Sequence, residues 1–397
     1  MLMLSPASLS IVRQTLPAVG AAVPEITTLF YGKLFADHPE LLSDLFNRGN
    51  QATGAQQQAL AGSIARFATL VVNNPDQDPG AVLGRIAHKH ASLGVTADQY
   101  EIVHTYLFAA IADVLGAAVT AEVAAAWDEL YWLMARTLID LEAGLYRDAG
   151  HEPGPSWQPW EVVARHEETA DVTSFVLRPA GDGEAPGFRP GQYVSVAVTL
   201  PDGARQIRQY SLSSAPQRST RRITVKRVRD GGGPNGEVSN WLHANVAVGD
   251  LLTLSPPYGN AVVDAGESPL LLASAGIGCT PVIGILDHLV ATSSARQVTV
   301  VHADRSVMDH PMRSQLHRSV SQLPNARVHV WYEQPHSGWP AAYTGFSDLS
   351  NLDLAPDVQA YVCGPAPFVD SIRQQLLDRG VPATAIRHEL FGPELAA

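Results

Sequence analysis

Three small groups of side chains in this sequence have the types and spacing to do chemistry. Arg208, Gln209, Tyr210 and Ser211 fall in an alternating run from Gln206 to Leu212, so their side chains point by turns to the two faces of a strand. A guanidinium, an aromatic ring and a hydroxyl placed in this way suit a flavin. The first can hold a diphosphate, the second can pack on a flat ring, and the third can bond a ring nitrogen. The same four residues also read simply as a strand. The second group centres on His90. Ile86 four before it and Leu93 three after it set it on an apolar helix face, whereas His88, with Arg85 and Ser92 around it, faces water. Such an imidazole is either a core histidine bonded to a neighbour or a ligand. Glu142 lies between Leu138 and Leu145 on a buried stripe and needs a donor there. With Tyr100, also on a buried face, it forms the support of a metal-ligating histidine whose other nitrogen is held by a carboxylate; alternatively, Glu142 sits at the edge of the stripe and is solvated. The third group is Gly276, Ile277, Gly278, Cys279, Thr280 and Pro281, after the apolar run 269–275 and before an amphipathic stretch to Leu289. Strand, glycine turn and helix in that order make a dinucleotide-binding turn, with Pro281 preset for the first helical turn.

The elements that must carry these groups divide the chain into three. From Ser8 to Tyr146 alanine and leucine dominate and the pattern is helical throughout. Thr96 and Gln99 form a capping box for a helix with Tyr100, Val103, Leu107, Ile111 and Val114 on one face, and Thr120 opens another. Residues 148–159 are rich in proline and glycine and read as a linker. Short strands follow at 160–165, 173–177, 193–198, 206–212, 222–228 and 250–254, the pattern of a small antiparallel barrel. Gly236, Glu237, Val238 and Ser239 start a short helix whose free N–H groups and hydroxyl make an anion site. Beyond 263 the strands 298–302, 328–331 and 360–362 fit a parallel sheet wound with helices. Cys363, Gly364 and Pro365 end one of its central strands, where ligands of such sheets bind; Cys363 also reads as a small buried hydrophobe. The expected domains are 1–147, 148–159 as linker, 160–262 and 263–397.

Composition limits the function. A net charge of -12 and a pI near 5.6 disfavour nucleic acid and anionic membrane as partners. Cys279 and Cys363 are the two cysteines of the chain, so no disulfide framework or cysteine metal site is expected and a reducing cytoplasm is the natural compartment. No uninterrupted apolar run is long enough to span a bilayer, and the first ten residues lack the pattern of a signal peptide.

Leu29, Phe30, Tyr31, Phe35, His38, Pro39, Glu40, Phe46, Asn47, Gln56, Leu60, His90, Tyr100 and Glu142 together resemble the globin domain of flavohaemoglobins. Pro190, Gly191, Gln192, Tyr193 and the stretch from Arg208 to Ser211 are similar to the flavin domain of the ferredoxin reductase class, and the domain order matches over essentially the whole chain. The resemblance implies an all-α globin domain, an antiparallel β-barrel FAD domain and an α/β parallel-sheet NAD(P)-binding domain. It implies haem b with His90 on the iron, Lys89 tuning its potential, and Tyr100 with Glu142 making the imidazole electron-rich. Tyr31 and Gln56 would face bound dioxygen, with Leu60 as an apolar wall. FAD would meet Tyr193, Arg208, Gln209, Tyr210 and Ser211, with Gly236, Val238 and Ser239 at its diphosphate. The tail Glu389, Leu390, Phe391, Gly392 and Pro393 would line the flavin; it also reads as an ordinary terminus. Asn260 and Ala261 replace the acidic and aromatic pair common after the glycine that ends the flavin domain. Asp304 beyond the second strand favours NADH, while Arg305 suits the phosphate of NADPH. The implied activity is nitric oxide dioxygenation by a monomer whose partners are nitric oxide, dioxygen and NAD(P)H, with no obligatory membrane. The rivals are a reductase of other acceptors and an oxygen-binding or sensing protein.

Overall fold

The computed structural model describes residues 3–75, 77–181, 183, 185–229 and 234–391. The chain forms two compact units: the first holds the described residues up to Trp157 together with Ala197–Arg208, and the second holds Gln158–Val196 and the described residues from Gln209 to Phe391.

Helices α1 (Pro6–Asp37), α2 (Pro39–Asp44), α3 (Arg48–Ala52), α4 (Ala55–Asn73), α5 (Gly80–Leu93), α6 (Ala97–Leu115) and α7 (Ala121–Asp148) build the first unit. Their ends follow from local chemistry. Ser5 Oγ accepts the Ser8 N–H at 3.2 Å at the start of α1, and Thr120 Oγ1 accepts from Val123 N at 3.3 Å at the start of α7. Gln99 Oε1 takes the Thr96 N–H at 3.1 Å, the backward half of the expected capping box. Helix α5 ends at Gly94, whose φ of 81° suits a left-handed cap; a Cβ there would also lie 2.6 Å from Pro155 Cα. One core joins Val12, Val19, Phe67, Leu83, Trp127 and Leu130, and a second gathers Ile26, Phe30, Tyr31, Leu34, Leu107 and Ala110. Each such large side chain contributes about 1.5–3 kcal/mol of burial free energy. Residues Ala97–Ala118 are long and apolar enough to cross a bilayer by length and composition alone, but here Leu107 and Ala110 are core residues.

Beyond Trp157 the chain forms two sheets, the first of which includes the Ala197–Arg208 segment. Strands β1 (Gln158–Thr169), β2 (Val172–Pro179), β3 (Tyr193–Thr199), β4 (Arg205–Ser211), β5 (Arg221–Lys226) and β6 (Leu251–Leu254) form one sheet in the order β4-β3-β6-β1-β2-β5, with helix α8 (Glu237–Asn245) beside them in sequence. The ladders of β1 with β2 and β6, and of β2 with β5, are antiparallel. The expected closed barrel is not formed. Beyond β4 the chain meets β5 through one bridge, Leu212 to Ile223, and a 2.8 Å bond from Ser213 N to Arg222 O. There the Ser214 hydroxyl, in place of a backbone carbonyl, accepts the Arg222 N–H at 3.1 Å, and the ladder goes no further.

Strands β7 (Leu270–Ala275), β8 (Val298–Asp304), β9 (Ala326–Tyr332), β10 (Gln359–Gly364) and β11 (Ile386–Leu390) form a parallel sheet in the order β11-β10-β7-β8-β9, with helices α9 (Cys279–Ala291), α10 (Arg313–Gln322) and α11 (Ala366–Asp378). The continuous apolar run of β7 has a direct cause. Leu270 and Leu272 enter one core while Leu271 and Ala273 enter the core on the other face. Helix α9 approaches the end of the first sheet closely: a Cβ on Gly284 would lie 2.4 Å from Leu212 O. Nearby, the buried Asp287 accepts two bonds from Arg218, at 2.6 and 2.5 Å, and the Ala215 N–H at 2.8 Å.

Candidate functional site

Helix α5 presents His90 one turn before its Gly94 cap. Its Nδ1 lies 2.8 Å from Glu142 Oε1 on α7 and 2.9 Å from the Tyr100 hydroxyl on α6, and Tyr100 donates to the same Glu142 oxygen at 2.6 Å. An ionised carboxylate only accepts, so it fixes the imidazole proton on Nδ1 and leaves the Nε2 lone pair for a ligand. Glu142 is 2% exposed, while the His90 side chain keeps 30%, so the supporting carboxylate is sealed and the imidazole retains an open edge. Burial, then the charge of Glu142 and its hydrogen bond, pushes the Tyr100 hydroxyl well above its ordinary range. It therefore remains a donor. This donor set fits an iron of haem type: an imidazole whose Nδ1 is held by a buried carboxylate, so that Nε2 faces outward as a ligand. Lys89 is exposed, yet desolvation of its ammonium, followed by Arg85 and Arg208, lowers its pKa. His88 is only partly exposed.

Tyr31 sits on α1, 4% exposed, with the rings of Phe30, Phe35 and Phe46 at 4.7, 5.5 and 5.7 Å. Burial pushes its hydroxyl up to about 12, partly offset by a hydrogen bond with the Gln56 side chain. The neighbouring Gln57 turns instead to Gln51, donating from Nε2 to Oε1 at 3.1 Å. Leu60 packs into the same cluster as Tyr31. An apolar cavity of about 40 Å³ lies next to that cluster, lined by Ile26, Ile64, Leu107, Trp127, Tyr131 and Met134 among others.

Of the flavin residues, Arg208 belongs to the first unit and Gln209, Tyr210 and Ser211 to the second. The Arg208 guanidinium donates to Asn47 Oδ1 at 2.7 Å, to Ile207 O at 2.8 Å and to Gln206 Oε1 at 3.3 Å. Gln209 donates to Ser195 Oγ at 3.1 Å, and Ser211 is buried. Tyr193 opens β3; a Cβ on Gly259 would lie 3.1 Å from its ring, so the glycine makes room for the tyrosine. At the start of α8 the Ser239 hydroxyl donates to Gly236 O at 3.1 Å and accepts from Val228 N at 3.2 Å, so it closes the turn itself. Val238 is fully buried, which leaves its backbone N–H as the group it can offer a ligand. Residues 230–233, between β5 and α8, lie outside the described residues.

In the parallel sheet, Gly276 has φ 53°, and residues Gly276–Gly278 make a single tight turn into α9. Gly278 is sterically obligatory. A Cβ there would lie 2.4 Å from Cys363 O and 2.9 Å from Gly364 Cα, so the turn and the end of β10 touch backbone to backbone. Thr280 Oγ1 donates to Ile277 O at 3.1 Å, and Pro281 is buried in the first turn of α9. Cys279 and Cys363 send their side chains into the core, and burial raises the Cys279 thiol, so these positions offer backbone to a ligand. Pro365 caps α11. Glu389 Oε2 accepts from the Tyr361 hydroxyl at 2.9 Å, Leu390 packs on the sheet core, and Phe391 is 39% exposed. Gly392 and Pro393 lie outside the described residues. Asp304 turns inward, its side chain 7% exposed and 3.5 Å from His302 Nε2, whereas the Arg305 side chain is 61% exposed.

Two contacts were not foreseen from the sequence, although Asn47 counted towards the resemblance and Gln206 opened the alternating run. His302 and His310 stack at 4.0 Å beneath Asp304, and Asn47 with Gln206 holds Arg208. A signal existed for Asn47, since Asn-x-Gly-Asn opens a helix. None existed for Gln206 beyond its polar type in a strand.

Family profiles match three segments: Globin over residues 28–138, Oxidoreductase FAD-binding domain over 159–262, and Oxidoreductase NAD-binding domain over 272–374. The flavohemoprotein of Bordetella pertussis is 40% identical over 405 residues, covering 98% of this chain and 99% of that protein. That of Rhizobium meliloti is 38% identical over 406 residues and covers 100% of both. Among solved structures, a Malassezia yamatoensis flavohemoglobin with bound FAD and heme matches with a TM-score of 0.90 at 36% identity, covering 98% of this chain and 100% of that one. The FAD/NAD-binding domain of the Vibrio cholerae nitric oxide dioxygenase matches with a TM-score of 0.56 at 36% identity, covering 59% of this chain and 99% of that one.

Proposed function

This chain belongs to the flavohaemoprotein family, and from that premise we propose that it is a nitric oxide dioxygenase that detoxifies nitric oxide with electrons from NAD(P)H. When bound, the nicotinamide would supply hydride, FAD its division into single electrons, and haem iron the centre at which nitric oxide and dioxygen combine to nitrate. The observation that carries the reading is the bonded set of His90, Tyr100 and Glu142.

The residues have separable tasks. His90 would hold the iron, and Glu142, bonded to its Nδ1, would keep that proton and make the ring electron-donating. Tyr31, whose hydroxyl stays protonated across the physiological range, offers its O–H to a diatomic ligand in the distal pocket, with Gln56 orienting it. Lys89 is proposed to tune the potential. Arg208 would hold the flavin diphosphate, and Tyr193, Gln209, Tyr210 and Ser211 would hold its ring system. The backbone of Gly236, Val238 and Ser239 serves the diphosphate. The turn from Gly276 to Pro281 and the end of β10 at Cys363, Gly364 and Pro365 would receive the nicotinamide dinucleotide, and the segment from Glu389 would line the flavin. The outward Arg305 beside the inward Asp304 favours use of NADPH as well as NADH.

We assign the haem domain to residues 1–147, the linker to 148–159, the FAD domain to 160–262 and the nicotinamide domain to 263–397. We infer a cytoplasmic monomer; the buried free thiols of Cys279 and Cys363 and the acidic net charge support that compartment and an absence of nucleic-acid partners. The test is an anaerobic visible spectrum under carbon monoxide before and after NADH. Growth of a ferrous carbonyl band with loss of flavin absorbance supports the reading. Flavin bleaching over a haem that stays ferric favours a reductase of other acceptors.

A further inference from the structure

Inside the first unit, the turn between α2 and α3 is tied to β4 by a set of hydrogen bonds with more claimants than places. Gln206 is 1% exposed, and its Nε2 has two hydrogens. Four carbonyls compete for them: Leu42 O, Phe46 O and Arg205 O at 3.3 Å and Ser43 O at 3.2 Å. Asn47 Oδ1 has two lone pairs and three donors, Gly49 N at 3.0 Å, Asn50 N at 3.3 Å and Arg208 Nη2 at 2.7 Å. A network so oversubscribed has alternative pairings close in energy, and the charged donor among them is Arg208. Phe46, directly before Asn47, has its carbonyl on Gln206 and its ring edge-on to Tyr31 at 5.7 Å.

We propose that Asn47 and Gln206 are positioning residues that link occupancy of the anion site at Arg208 to the packing of Phe46 on Tyr31, so that seating the flavin diphosphate tunes the distal haem pocket. The inference rests on the assignment of Arg208 to FAD and of Tyr31 to the haem ligand. A diphosphate bonds a guanidinium more strongly than a neutral amide oxygen does. It draws Arg208 from Asn47, whose oxygen then settles on the two helix N–H groups. Phe46 follows, because the chain joins it to Asn47 and Gln206 holds its carbonyl. Asn47 and Gln206 need touch neither cofactor.

Cyanide affinity of the ferric haem protein, measured with FAD bound and with FAD stripped, reads the link directly. The wild-type ratio of the two affinities is expected to be roughly 5-fold or more. Linkage requires FAD affinity to change by the same factor when cyanide binds. Asn47→Ser keeps a capping oxygen but cannot reach Arg208, and Gln206→Met keeps the volume without the amide. In both, the ratio should fall to within about two-fold of unity. Equal affinities with and without FAD in the wild type overturn the proposal, as does a ratio that persists in both variants. A protein that takes up neither haem nor FAD sinks the cofactor assignment as well. One that takes up both and shows no ratio sinks the link alone.

Discussion

Replacing Glu142 by glutamine removes one charge from the support of His90 and almost no volume. In the folded protein a single oxygen, Oε1, accepts from His90 Nδ1 at 2.8 Å and from the Tyr100 hydroxyl at 2.6 Å, in a site where Glu142 is 2% exposed. Hydrogen bonds to a charged group contribute about 1.5–3 kcal/mol each, roughly twice the neutral value. An amide oxygen can still accept both, so the expected loss is about half of each bond, or about 1.5–3 kcal/mol in total. At about 1.4 kcal/mol per factor of ten, haem retention should weaken by about 10- to 100-fold. Transfer of haem to an excess of an apoglobin measures this as a dissociation rate. Flavin content and NADH-driven dye reduction should stay at wild-type levels, because those residues lie in the second unit or on Arg208. Haem loss within two-fold of wild type would refute the reasoning, for it would mean that the carboxylate does not support the ligand.

Tyr31→Phe deletes the distal donor and should speed dioxygen dissociation by about 2- to 10-fold, the worth of one neutral hydrogen bond; stopped-flow mixing with carbon monoxide checks it. The same residue has a pH signature. Its hydroxyl is raised to about 12 in the folded state from 10.0, so its contribution to stability is complete below pH 10 and is lost as pH rises through the folded value. Denaturant melts should show a shallower alkaline decline in Tyr31→Phe than in wild type. Gly278→Ala places a Cβ 2.4 Å from Cys363 O and should cost about 1–3 kcal/mol along with most NADH-driven flavin reduction, read by denaturant melts and anaerobic stopped flow. Although burial alone would raise the Asp287 carboxyl, its bonds from Arg218 and Ala215 N–H lower it below its ordinary value. Its contribution is therefore present above the unfolded pKa of about 3.9 and lost as pH falls through the folded one. Asp287→Asn should flatten that acid-side loss in thermal melts of the flavin-reporting transition.

Much of this architecture could be read from local chemistry. Thr96 and Gln99 cap a helix because their side chains reach each other's backbone, and β7 is a continuous apolar run because both of its faces are buried. The support of His90 was legible because a carboxylate on a buried stripe demands a donor, and Tyr100 and His90 are the donors it meets. Other features depend on the third dimension. Helices α2 and α3 are too short to show a period. The direction of Asp304 depends on His302 and on the Arg305 N–H, which its Oδ1 accepts at 2.8 Å. The bond from Arg208 to Asn47 joins residues 161 positions apart. The expected barrel failed at one corner, where the Leu212–Ile223 bridge gives way to a serine hydroxyl on the Arg222 N–H, and no strand pattern records where a ladder stops.

The most direct test of the central claim is a product balance in air: nitric oxide consumed, nitrate formed and NADH oxidised by the purified protein loaded with haem and FAD. The account predicts one nitrate for each nitric oxide and one NADH for every two, with His90→Ala abolishing nitrate while dye reduction continues. NADH oxidation that proceeds without nitrate, or nitrate formation that survives in His90→Ala, would contradict it.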